Sequence, residues 1–151
     1  MEKKEIKIVG LDLDGTLLTD KKELLPYTKK VIAEALQNGT VVLVATGRPW
    51  TGVPEELREL PGMDYALTAN GARIIETRTG KVLEEHLLSK EAAKKAIAIG
   101  RKYDTLLEVY FDGQGYAQKD EIAQVKKYHK NPNMWDYFLR TRIAVDRLED
   151  L

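Results

Sequence analysis

The chain has 151 residues, 43% hydrophobic and 32% charged, with Lys plus Arg matching Asp plus Glu at 24 each. Zero formal charge argues against a nucleic-acid partner or an anionic membrane surface, and the absence of cysteine excludes disulfides, thiolate catalysis and cysteine-based zinc sites. No apolar run reaches signal-peptide or membrane-spanning length, so a cytoplasmic protein is expected.

Residues 6–11 read as a buried strand, apolar with little alternation. It ends in Asp12-Leu13-Asp14-Gly15-Thr16. Tyr27, Val31, Ile32, Ala35 and Leu36 fall at helical spacing, with Pro26 suited to the first helical position and Gly39 to the position past the end. Residues 41–45 form a second apolar strand, and a short helix is expected over about 51–60. Residues 65–69 form a third strand, turned by Asn70-Gly71 into a returning segment at 72–76. Thr79-Gly80 turns again, and 82–88 leads away. This order predicts parallel βαβ units.

From Ser89 the texture changes. Ser89 is expected to cap a helix through Tyr103. Asp112-Gly113-Gln114-Gly115 turns a hairpin, Asp120 is expected to cap a helix through about Lys130, and Asn131-Pro132-Asn133 breaks it. Residues 134–151 are mixed in character. His86 and His129 read as surface residues, without the partners of a metal site.

In an open parallel sheet, ligands bind beyond the carboxyl ends of the strands. Three such ends carry polar residues here: Asp12 and Asp14, then Thr46-Gly47-Arg48, then Asn70-Gly71. Two adjacent carboxylates repel each other and favour a cation; Mg2+ satisfies such a pair together with substrate phosphate oxygens. Plainer readings stand beside this one. An Asp pair also caps turns and helices, Thr46 alone could cap a strand end, and Asn70-Gly71 is first of all a turn.

Asp12-Leu13-Asp14-Gly15-Thr16-Leu17-Leu18, Ala45-Thr46-Gly47-Arg48-Pro49 and Ala69-Asn70-Gly71-Ala72 resemble the N-terminal signatures of the haloacid dehalogenase superfamily, and more narrowly its Cof-type (subfamily IIB) sugar-phosphatase branch. The resemblance implies an α/β fold: part of a Rossmann-like core over 1–82, then part of an inserted α+β cap over 83–151. It implies a phosphatase for small phosphorylated metabolites, sugar phosphates in particular, with Mg2+ as cofactor. Asp12 would be the nucleophile, forming an aspartyl-phosphate. Asp14 would be the general acid and then the base, its proton affinity raised by Asp12. Mg2+ would be held by the Asp12 carboxylate and the Asp14 carbonyl. Thr46, Gly47 and Arg48 would hold phosphate, and Asn70 is a candidate substrate contact.

The same resemblance leaves gaps. The branch has a further Lys and an acidic Gly-Asp-containing loop after the cap, and Lys90, Lys94 and Lys95 lie in the cap region. The chain is therefore expected to be a partial phosphatase with little or no activity alone. Its first strand would then be an exposed edge, inviting self-association through that edge or through the cut cap. A non-catalytic binding or assembly module is the main alternative, and a phospho-acceptor signalling domain is a third.

Overall fold

A computed structural model describes residues 5–151, which fold as two compact units dividing after His86. The first unit contains a five-stranded sheet in the order β1-β2-β3-β4-β5. Strands β1 (Ile8–Leu11), β2 (Val41–Ala45) and β3 (Tyr65–Thr68) are parallel. Strands β4 (Arg73–Glu76) and β5 (Val82–Glu85) return antiparallel. Because β5 is hydrogen-bonded to β4, residues 83–86 belong to the first unit and the division falls later than the expected 82/83 boundary.

Helix α1 (Pro26–Gln37) crosses from β1 to β2, with Pro26 in its first turn. Gly39 follows at φ +82°, a conformation that favours glycine. Between β2 and β3 the expected single helix is split into a 3-10 turn at Trp50–Gly52 and a four-residue α2 (Glu55–Arg58), because Pro54 stands between them as the N-cap of α2. The core lies on one sheet face, where Val42, Val44, Ala66 and Ile75 meet Ile32 of α1 and Leu57 of α2.

The expectation that the first strand is buried holds for one face only. Val9 and Leu11 are half-buried, whereas Ile8 is 64% exposed, since β1 is the edge of the sheet and residues 8, 10, 41, 43 and 65 share its open face.

The second unit begins with α3 (Lys90–Gly100), whose N-cap Ser89 accepts a hydrogen bond from the Ala92 amide at 3.2 Å. A β6–β7 hairpin follows (Glu108–Phe111, Gln114–Gln118), turned by Asp112 and Gly113 at positive φ. Helices α4 (Lys119–Ala123), α5 (Val125–Tyr128) and α6 (Pro132–Thr141) lead to β8 (Arg142–Val145), which lies parallel to β7. The cap of α4 is Gln118 rather than Asp120, and Asp120 lies inside the first turn. The Asn131-Pro132 break is also a start: the Asn131 side chain accepts from the Asn133 amide at 3.0 Å and Pro132 opens α6. Ala117, Val125 and Phe138 form the small core of this unit, with Trp135 packed against it. Among the described residues no helix is long and apolar enough to cross a membrane.

Candidate active site

The parallel register sets Leu11 of β1 beside Val44 of β2, so the acids after β1 and the polar loop after β2 emerge at the same end of the sheet. Leu13 is fully buried between Asp12 and Asp14, both of which are exposed. The chain then bends back. The Leu17 amide donates to the Asp12 carbonyl at 3.2 Å and the Leu18 amide to the Leu13 carbonyl at 2.9 Å. Gly15 sits at φ +82°, where a side chain would be strained.

The two carboxylates differ in their surroundings. Asp12 meets a neutral group, the Thr16 hydroxyl, which donates to its Oδ2 at 3.2 Å. Asp14 meets two cations. Arg48 forks onto it, Nε to Oδ2 at 2.7 Å and Nη2 to Oδ1 at 2.6 Å. Lys22 Nζ donates to the same Oδ1 at 2.7 Å. Partial burial pushes the Asp14 carboxyl up, but the bonds and charges of Arg48 and Lys22 outweigh it and hold the group down at about 2. The expected rise in Asp14 proton affinity from Asp12 is thus overturned: the nearest charges are positive. Arg48 is also placed differently from a direct phosphate contact. It is buried, forked onto Asp14, and its Nη1 donates to the Gly52 carbonyl at 2.8 Å. In that position it fastens the 3-10 turn to the acid.

Thr46 is buried at 5% exposure and joins the second and third strand ends. Its amide donates to Leu67 O at 2.9 Å and its carbonyl accepts from the Asn70 amide at 3.1 Å. Its Oγ1 accepts from the Arg48 amide at 3.1 Å, which still leaves the hydroxyl proton to donate. Gly47 lies close under the Asn70 side chain: a Cβ there would lie 2.8 Å from Asn70 Oδ1, so that side chain would have to shift. Asn70 itself is exposed, in the left-handed region at φ 56°, and its side chain packs over Gly47. The structure therefore brings together Asp14, Thr46, Gly47, Arg48 and Asn70, with Asp12 beside them. It adds Lys22 and Thr16, which sequence reasoning did not single out. Thr16 had a detectable signal, standing four residues after Asp12 in a Gly-containing turn. Lys22 had none, because Lys21 and Lys22 are alike in sequence.

Among the described residues no group of three or more His, Cys, Asp or Glu could hold a metal ion. The hard donors present are the exposed Asp12 carboxylate and backbone carbonyls, while the Asp14 carboxylate is committed to two cations. Mg2+ is commonly held by one or two carboxylates, with waters and substrate phosphate oxygens completing six ligands. The residues present fit part of such a shell.

A family model described as haloacid dehalogenase-like hydrolase matches residues 9–146. Over 101 residues the chain is 31% identical to the 5-amino-6-(5-phospho-D-ribitylamino)uracil phosphatase YcsE of Bacillus subtilis, covering 67% of this chain and 40% of that protein. Over 78 residues it is 35% identical to the pyridoxal phosphate phosphatase YbhA of Escherichia coli, covering 52% of this chain and 29% of that one. Its fold is similar to that of a solved haloacid dehalogenase-like hydrolase from B. subtilis, with a TM-score of 0.77 at 19% identity, covering 96% of this chain and 56% of that chain. The chain spans less than half the length of the curated relatives it matches. It belongs to the haloacid dehalogenase-like hydrolase family.

Proposed function

We propose that this chain carries the nucleophile and part of the phosphate-binding loop of a Mg2+-dependent phosphatase for small phosphorylated metabolites, sugar phosphates among them. The observation that carries this reading is the exposed Asp12 carboxylate at the end of β1, at the same end of the sheet as Thr46 and Gly47. Relatives named for phosphate-ester substrates support the substrate class. In the proposed reaction an Asp12 oxygen attacks phosphorus, the ester P–O bond breaks, and the departing oxygen takes a proton. Water then attacks phosphorus and returns Asp12 as a carboxylate with inorganic phosphate released. Thr16 orients Asp12 for the attack, and the Thr46 hydroxyl and Gly47 amide would donate to phosphoryl oxygens. Bound Mg2+ would neutralise phosphoryl charge, held by the Asp12 carboxylate and the Asp14 carbonyl.

Asp14 is the candidate acid and base, but a carboxyl held at about 2 neither gives nor takes a proton readily near neutral pH. Its role requires the cationic clamp on it to loosen. The same clamp favours the second reading, a module that binds phosphate without turning it over. Phosphate release from a panel of sugar phosphates with Mg2+, compared with Asp12→Asn, separates the two. Slow release lost in Asp12→Asn is expected. Phosphate binding with no release favours the module, and equal release from both proteins contradicts the nucleophile.

A further inference from the structure

Asp14 receives three charge-assisted bonds where two would orient it. Arg48 supplies a planar fork to both oxygens, and its remaining nitrogen is fixed on the Gly52 carbonyl. A buried guanidinium so held fixes the carboxylate by itself. The third bond comes from a different kind of place. Lys22 sits in a tight turn beyond β1, where the Lys22 amide donates to Thr19 O at 2.8 Å and the Thr19 amide to Glu23 O at 3.1 Å. Its backbone is left-handed at φ 65°, uncommon for a residue with a side chain. Its ammonium is a point charge on a four-carbon stem, 18% exposed, and lacks the planar fork that holds Arg48 on both oxygens. Asp14 therefore has two cations held in different ways, Arg48 by a buried fork and Lys22 by a single bond to Oδ1.

We propose that Lys22 is a phosphate-binding residue, leaving Asp14 Oδ1 for a phosphoryl oxygen when a phosphate monoester enters the Asp12 site, while Arg48 keeps Asp14 in place. This inference rests on the phosphoryl-site reading above. Two carboxylates face two cations in the site as it stands, and a phosphoryl dianion adds negative charge directly in front of Asp12. Transfer of the Lys22 ammonium offsets that repulsion. It also leaves Asp14 on the Arg48 fork alone. Substrate entry and loosening of Asp14 thereby become one event.

The test uses the 151-residue chain with 15N-labelled lysine and arginine, titrated with inorganic phosphate in the presence of Mg2+ and followed by NMR. The Lys22 Nζ signal is expected to shift with phosphate while the Arg48 Nε signal stays fixed. Lys22→Met is expected to weaken phosphate binding about tenfold, and Lys22→Arg to restore it to within a few-fold. An Nζ signal unmoved at saturation overturns the inference without need of any variant. So does equal affinity in Lys22→Met; if Thr46→Val still weakens binding in that case, the phosphate-site reading stands and only the role of Lys22 falls. Wild-type protein that binds no phosphate overturns both.

Discussion

Arg48 is the residue on which the site's geometry turns. It is buried, it fixes both oxygens of Asp14, and it anchors the 3-10 turn after β2 through Gly52. Arg48→Ala would leave a partly buried carboxylate without its fork and a carbonyl without its donor, a loss of about 1–3 kcal/mol by urea unfolding. Arg48→Lys should recover only a fraction, since an ammonium cannot form the two parallel bonds. The Asp14 carboxyl lies at about 2 in the fold against an ordinary 3.8, so its pairing is fully present above pH 4 and is lost as pH falls toward 2. Discounted for the solvent screening of a part-exposed group, this amounts to about 1 kcal/mol. Wild-type stability should fall over that window, and Asp14→Asn should flatten the fall measured by unfolding at each pH. Gly47→Ala should displace Asn70, since the new Cβ would lie 2.8 Å from Asn70 Oδ1; a changed Asn70 side-chain amide signal in a folded variant is the check. Asp12, Asp14 and Thr46 were legible as a group because each follows an apolar strand directly. The different states of the two acids were not legible. They depend on Arg48, thirty-four positions from Asp14, and on a turn that points Lys22 backward.

Elements with local punctuation were legible in the sequence, and elements defined by pairing were less so. Pro26 and Gly39 bound α1, Ser89 caps α3, and Asp112-Gly113 turns the β6–β7 hairpin, each a signal contained in a few residues. Asn131-Pro132 was read as a break alone, although a capping Asn followed by Pro is equally a helix start. Strand β8 has no flanking turn of its own; it exists because Arg142–Val145 lies against β7 across a connection of several helices. Arg142 shows what that pairing requires. Its side chain is buried, bonded to Glu108 and to the Tyr110 hydroxyl, and stacked near Phe138. Phe138, 1% exposed, is the largest buried side chain of this unit's core, so Phe138→Ala should cost about 3–5 kcal/mol in the unfolding of the second unit. The first unit's transition, followed through Trp50, should move far less.

At the scale of the whole molecule, a net charge of zero is combined with an apolar edge. Strand β1 carries no charged residue, Ile8 is 64% exposed, and the open sheet face continues through Val41 and Tyr65, each 37% exposed. Parallel strands are ordinarily covered on both faces, and unprotected edges pair with other chains. We propose self-association through this edge, with light scattering reporting a mass above that of one chain and Ile8→Lys lowering it. A monodisperse monomer would contradict this. The central claim, that Asp12 is a phosphoryl acceptor, meets its most direct test in chemical trapping. The chain is incubated with Mg2+ and a small phosphate ester, reduced with borohydride, and digested for mass spectrometry. Reduction of an aspartyl-phosphate to homoserine at position 12, absent from Asp12→Asn, is the predicted result; an unmodified Asp12 in a chain that still releases phosphate would contradict the account.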